Sequence, residues 1–326
     1  MENTLLYEGK AKKIFHSSQE QTVVVQFKDS LTAGDGAKKG SFEGKGRINA
    51  GVTALLFQLL QQHNIDTHFV AQQSDLELLC KRVEILPLEI VVRNITAGSF
   101  CRRYGLEEGR ILPEPLVELF LKDDALHDPL ITDEAALRLG FVSQTDLSYL
   151  KTVTLQINAV LCDVFALLNL QLVDFKLEFG KDGDGNYILA DEITQDTIRV
   201  WDKVTGEKKD KDRFRRDLGG VEETYESFLS ALQVVEFPSV PLSTTVDLVV
   251  KLRDGIKDSS GEVTLKSLQR LGYRYVEEVQ SGKHLTLKCE GALNSKLLND
   301  LDQMNNQLLT NPLVEDVMVS FRFVRG

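Results

Sequence analysis

Between Val234 and Thr245 the chain carries Pro238, Pro241 and four Ser/Thr residues, a composition that suits neither helix nor strand. This interruption divides 326 residues, more than one ordinary core accommodates, into two unequal parts. The expected organisation is a large domain over residues 1–235, a linker at 236–245 and a small domain over 246–326. With 42% hydrophobic and 27% charged residues, the chain has globular composition and enough apolar surface for a core in each part. A formal net charge of −11 repels a polyanionic backbone, which excludes a general nucleic-acid binder. Small phosphorylated ligands need only a local cationic pocket, and basic residues cluster at 10–13, at 102–103 and at 208–216.

Four cysteines, Cys80, Cys101, Cys162 and Cys289, are widely spaced and form no metal or disulfide pattern; the reading is free thiols. The five histidines show no spacing of a metal box or hydrolytic triad. No basic, apolar leader begins the sequence and no later apolar run approaches membrane-spanning length, so a cytoplasmic protein without membrane contact is expected.

Alternating runs at Lys13–Phe15 and Thr22–Phe27 predict strands, and apolar residues from Ile48 to Leu60 recur at helical spacing. A second long helix is predicted after Asp146, taken as its N-cap, with Leu150, Val153, Ile157, Val160, Leu161 and Val164 on one stripe. Without a strict βαβ rhythm, the fold class is α+β. Beyond the linker the expected order is strand, helix, hairpin (273–279 and 284–289), helix, strand, a βαββαβ ferredoxin-like pattern.

The residues that suggest chemistry sit in a few short segments. Gly9-Lys10-Ala11-Lys12-Lys13 places a glycine, which permits close backbone approach, among ammonium groups that neutralise phosphate. In Asp174-Phe175-Lys176-Leu177-Glu178-Phe179-Gly180, strand alternation puts three charged residues on one face and three apolar ones on the other. A turn over 181–186 returns the chain to Asp191 and Glu192, so two carboxylates converge from adjacent strands, an arrangement suited to Mg²⁺ on nucleotide phosphates. The small-residue loops 32–36 and 97–99 leave room for a ligand, and Arg93 suits a two-pronged contact with carboxylate or phosphate. Residues 211–216 read as a solvated basic helix face. From these residues alone, a small-molecule kinase and a non-catalytic assembly protein stay open.

Together these motifs, with His127-Asp128-Pro129 and residues 210–220, resemble in order and wording the SAICAR synthetase family, from about residue 4 to 233. The resemblance implies a two-lobed domain related to the ATP-grasp and kinase folds. It also implies ATP-dependent ligation of L-aspartate to the carboxylate of CAIR (carboxyaminoimidazole ribonucleotide) through an acyl phosphate. By the resemblance, Lys10, Ala11 and Lys12 cover the ATP phosphates, and Lys81 reaches them from the sheet. Glu178 and Asp191 bind Mg²⁺ and contact ATP, with Lys176 beside the transferring phosphoryl group. Asp35, Arg93, Ser99, Asp128, Asp174, Arg199 and Arg215 are the implied substrate contacts. One departure is the long acidic turn with Asp182 and Asp184.

Residues 246–324 resemble the small PurS-type subunit of formylglycinamidine ribonucleotide (FGAM) synthase, through Lys251–Asp258, Gly261, Leu271-Gly272-Tyr273, Gly282-Lys283 and residues 309–317. This implies a non-catalytic unit that self-associates and bridges glutaminase and synthetase subunits, and hence a homo-oligomer.

Overall fold

The structure is a computed structural model and describes residues 4–33, 37–237 and 239–323. The chain opens with antiparallel strands β1 (Leu5–Glu8), β2 (Lys12–His16) and β3 (Thr22–Phe27), followed by the hairpin β4 (Ser30–Ala33) and β5 (Lys38–Ser41). Helix α1 (Lys45–Gln62) comes next; β6 (Phe69–Gln72) and β7 (Glu77–Lys81) then complete a five-stranded sheet of order β1-β2-β3-β7-β6. Ile48, Val52, Leu56, Leu59 and Leu60 on α1 are fully buried and belong to the same core as Val23, Val25 and Phe27. The helical spacing in the sequence therefore marks the face that packs on the sheet.

Two residues after β7, strand β8 (Glu84–Ile95) begins a second, larger sheet. It is built with α2 (Gly98–Tyr104), β9 (Ile111–Leu121), β10 (Leu130–Ile131), α3 (Asp133–Arg138), α4 (Gln144–Leu167), β11 (Leu170–Lys181), β12 (Tyr187–Ala190) and β13 (Ile198–Asp202). The strand order is β10-β9-β8-β11-β12, with β13 also paired to β11. Phe175, Leu177 and Phe179 are each 1% exposed on the back of β11. Burial of side chains this size stabilises by about 2 kcal/mol each, which fixes the register and commits Lys176 and Glu178 to the opposite face. After the short α5 (Asp212–Arg215), α6 (Val221–Val234) packs on α1.

The N-cap of α4 is Ser143, not Asp146. The Ser143 hydroxyl accepts from the Asp146 backbone at 3.1 Å and the Asp146 carboxylate accepts from the Ser143 backbone at 3.4 Å, a reciprocal capping box. An acid three residues into a helix and one at its cap look alike in sequence, and the serine decides. By length and composition α4 qualifies as a membrane span, yet most of it is buried inside the protein, as a core helix must be. None of the four cysteines is joined in a disulfide; Cys80 is buried and the others are half-buried.

Beyond α6 come β14 (Ser243–Leu252), α7 (Ser259–Arg270), β15 (Gly282–Glu290), α8 (Ser295–Met304) and β16 (Glu315–Phe323). The sheet has three strands in the order β15-β14-β16, and the strand expected over 273–279 does not form. Tyr273 and Tyr275 stay 47% and 79% exposed, and only Gly261 is buried on α7. Alternation specifies which residues share a face, not whether that face finds a partner. The apolar face of this sheet, with Val246, Leu248 and Phe321, joins the core of the larger part through α4, which packs on β16. Gln156 on α4 is fully buried: its amide donates to the Ser243 carbonyl at 3.2 Å and to Thr244 Oγ1 at 3.1 Å, and accepts from Leu293 N at 2.9 Å. Helix α4 thus lies between two sheets, since its other side packs on β11 and β8.

Candidate functional site

The pairing of β11 with β8 sets Asp174 opposite Arg93, Lys176 opposite Val91 and Glu178 opposite Glu89. Paired residues share a face, so one side of these central strands is almost wholly charged. The Lys176 ammonium donates to Glu89 at 2.6 Å and to Glu178 at 2.7 Å, and Lys122 also donates to Glu178. Burial would lower the Lys176 pKa, but the charges of Glu178, Asp191 and Glu89 raise it, so the side chain stays protonated. The Glu89 carboxyl is pushed up, chiefly by burial and against the pull of Lys176.

Asp191 follows β12 directly and has φ 59°, a left-handed backbone that non-glycine residues adopt only when surroundings hold it. Its carboxylate is ion-paired with Lys12, which also lies 3.7 Å from Glu192. Burial favours the neutral acid at Asp191, yet Lys12 and Lys176 outweigh it and hold the carboxyl well below the usual range. Glu192, also buried, is pushed the other way, and its Oε2 has no hydrogen-bond partner among the described residues.

On the other side of the same face, arginines and carboxylates alternate. Arg93 donates to Glu118 at 3.0 Å and to Asp174 at 2.7 Å. Arg199 donates to Asp174 at 2.6 Å and to Asp212 at 2.9 Å, and Asp212 also accepts from Arg215 at 2.6 Å. Burial alone would raise the Asp212 carboxyl, but Arg199 and Arg215 hold it at about 2. A 610 Å³ cavity opens beside this chain, lined by Lys38, Gly98, Ser99, Arg102, Arg199, Arg215 and Arg216. A second, of 330 Å³, is lined by Glu89, Arg93, Asp128, Asp174, Lys176 and Asp196, and shares Ser99, Arg199 and Arg215 with the first. Gly98 makes this approach possible: it has φ 57°, and a Cβ there would lie 2.8 Å from Arg199 Nη2.

The structure therefore brings together Lys12, Lys176, Glu178 and Asp191, and beside them Arg93, Ser99, Asp128, Asp174, Arg199 and Arg215. Lys10 and Ala11 lie in the turn before β2, where the half-exposed Lys10 reaches Asp124 at 2.8 Å. Lys81 is placed apart: exposed at the end of β7, it lies by register on the opposite face of the small sheet from Lys12. Asp35 lies outside the described residues. Residues 211–216 are not a solvated face; Lys211 is part-buried 3.7 Å from Asp196, and Arg215 and Arg216 line the larger cavity.

Sequence reading missed Glu89, Glu118, Lys45 and Asp212. Glu89 was legible, since it alternates with Val91 and Arg93 on β8. Lys45 was not: it is fully buried, 2.5 Å from Asp196, which also accepts from Tyr225 at 2.8 Å. Only the tertiary approach of α1 to the segment after β12 creates that contact.

A protonated lysine gripped by acids on one side, and arginines paired with carboxylates on the other, suit an enzyme that makes an anionic substrate reactive and holds it by further anionic groups: an ATP-dependent ligase. Comparisons with known proteins agree. The SAICAR synthetase family model matches residues 5–232, and residues 245–322 match the PurS model, described as phosphoribosylformylglycinamidine (FGAM) synthase. Phosphoribosylaminoimidazole-succinocarboxamide synthase of Staphylococcus aureus is 51% identical over 230 residues, covering 71% of this chain and 98% of that protein. The crystal structure of the same synthase from Ehrlichia chaffeensis superposes with a TM-score of 0.69 at 36% identity, over 72% of this chain and all of the other. A SAICAR synthetase in complex with ADP superposes with a TM-score of 0.68 at 43% identity, over the same shares. The chain belongs to the SAICAR synthetase family. It is an enzyme with SAICAR synthetase activity in purine biosynthesis, carrying a PurS-like C-terminal domain, and neither a kinase nor a mere scaffold is favoured.

Proposed function

We propose that this site joins L-aspartate to the carboxylate of CAIR, driven by ATP, and releases SAICAR, ADP and phosphate. The observation that carries this reading is that the two cavities share Ser99, Arg199 and Arg215, so that Lys176 and Glu89 line the same cavity as these two arginines. The ADP-bound relative supports ATP as the phosphoryl donor.

A carboxylate resists attack by an amine because its charge is delocalised and oxide is a poor leaving group. Transfer of the γ-phosphoryl group of ATP to a carboxylate oxygen of CAIR removes both obstacles. The aspartate amine then attacks the acyl carbon, phosphate leaves with the C–O bonding pair, and the nitrogen loses a proton. Lys10, Ala11 and Lys12 cover the ATP phosphates, with Lys81 further along the small sheet. Lys176, kept protonated by its acidic neighbours, faces the phosphoryl group as its charge redistributes, which is electrostatic preorganisation. Arg93, Ser99, Arg199 and Arg215 hold the ribonucleotide phosphate and the aspartate carboxylates, with Asp35 and Asp128 beside CAIR. Asp174, its carboxylate already occupied by two arginines, acts by aiming them.

Glu178 and Asp191 supply the hard oxygens that Mg²⁺ prefers. Among the described residues no group of three or more metal-ligating side chains exists, so the remaining positions would fall to phosphate and water, the usual Mg²⁺ habit. Bound there, Mg²⁺ would draw charge off the transferring group.

We assign residues 1–235 to catalysis and 246–326 to assembly, with 236–245 as linker; the end of α6 at Val234 and the start of β14 at Ser243 support that division. The C-terminal domain serves as an assembly subunit of FGAM synthase, meeting its glutaminase and synthetase subunits, in a cytoplasmic homo-oligomer without nucleic-acid or membrane contact. The PurS match supports this assignment. The test is ADP release measured with CAIR, with and without aspartate. Release should require both, and Lys176→Ala should lower kcat by about a hundred- to a thousandfold with the fold intact. ADP release without aspartate, leaving a stable phosphorylated product, would return the kinase reading.

A further inference from the structure

Asp191 is held in a left-handed backbone, and the contacts that hold it lead out of the catalytic part. The His68 ring lies beside the Asp191 backbone. Residues 66–68 run along β12: Leu189 N donates to the Asp66 carbonyl at 3.0 Å, His68 N donates to the Leu189 carbonyl at 2.8 Å, and Thr67 bridges Leu189 in parallel fashion. This strap is fixed at its far end by the C-terminal domain. Ser295 N, in the first turn of α8, donates to Asp66 Oδ2 at 2.7 Å. Asn294 Nδ2 donates to the Asn64 carbonyl at 3.1 Å, and from the linker Val240 N donates to His63 Nε2 at 2.9 Å.

We propose that Asp66 is a positioning residue through which the N-terminus of α8 clamps the 66–68 strap against Leu189 and so holds Asp191 toward the nucleotide. The clamp makes the C-terminal domain a working part of the ligase site rather than a tethered addition. The physical basis is economy of path. A charge-assisted hydrogen bond anchors one end of a three-residue strap, a backbone ladder joins the strap to β12, and Asp191 lies two residues beyond Leu189. An αL aspartate relaxes readily once its surroundings loosen, so a lost anchor appears first as misplacement of Asp191. Lys176, Arg93 and Arg199 stand on other strands, β11, β8 and β13, and keep their geometry.

The inference rests on the assignment of Asp191 to the nucleotide site, and the test separates the two. Ser295 is the first residue of α8, and Asn294 before it has φ −144° and ψ 176°. Proline is compatible with both positions, so Ser295→Pro deletes the donor N–H without breaking the helix. Asp66→Asn is the second variant and keeps the side-chain shape. Steady-state kinetics on the full chain should show KM for Mg-ATP raised about three- to tenfold in each, while KM for CAIR stays within about twofold. Amide hydrogen exchange of the ligand-free protein should quicken at 189–193 and stay unchanged along β11. Arg253→Ala, which breaks an exposed pair with Asp316 in the same domain, should alter neither readout. Exchange at 189–193 equal to the unaltered protein in both variants overturns the clamp, as does an equal rise of KM for both substrates. Faster exchange at 189–193 with KM for Mg-ATP unmoved keeps the clamp and overturns the nucleotide assignment of Asp191.

Discussion

Arg199 donates from Nη1 to both carboxylate oxygens of Asp174, at 2.7 and 2.6 Å, while its Nε is held by Asp212 at 2.9 Å. Nη2 also donates to Asp212 at 3.3 Å, so the guanidinium is fixed in one orientation through all three nitrogens, and Asp174 shares its charge with Arg93 as well. Asp174 is 5% exposed, so removing its charge strands two cations in a poorly hydrated place. Asp174→Asn should cost about 3 kcal/mol of folding stability, measured by urea unfolding. A loss under about 1 kcal/mol would show that the arginines find other partners.

Gly98 faces the same guanidinium. Gly98→Ala puts a Cβ where Arg199 Nη2 lies and forces a left-handed backbone on alanine. KM for CAIR should rise at least about tenfold, because the arginine must move, whereas stability should fall by only about 1 kcal/mol. Calorimetry with CAIR alone checks the first statement and thermal unfolding the second.

Two neighbouring aspartates give stability opposite dependences on pH. Asp212, buried but held at about 2 against an ordinary 3.8, is favoured as the anion in the folded state. Its contribution, on the order of 2 kcal/mol, is present above pH 4 and is lost as pH falls through 2. Asp210 is pushed up to about 7, first by burial and then by the charge of Asp212, so folding favours its protonated form. That contribution is present below pH 4 and is lost as pH rises through 7. Asp210→Asn should therefore gain stability relative to the unaltered protein as pH rises from 4 to 8. Denaturation midpoints across that range check the slope, and parallel curves would contradict it.

Gln156 joins the two parts of the chain from the middle of α4. Gln156→Ala removes the acceptor of the Leu293 N–H in a buried interface. The expected loss is about 2 kcal/mol, appearing as one cooperative transition at lower temperature. Two separate transitions, one unchanged, would mean that the C-terminal domain unfolds independently of the catalytic core.

The sequence by itself determined the α+β class, the two family resemblances and the charged face of β11. These follow from local rules. Period-two alternation assigns faces whatever the neighbours, glycine and proline punctuate wherever they fall, and ordered short motifs keep their wording. Only the tertiary structure decided which charges meet. Lys45 lies far along the chain from Asp196, Lys12 from Asp191 and Ser295 from Asp66, and no periodicity connects them. It also decided that residues 273–279 stay unpaired while α4 covers the C-terminal sheet. Burial is awarded by the whole fold, and alternation alone does not say which segments it reaches.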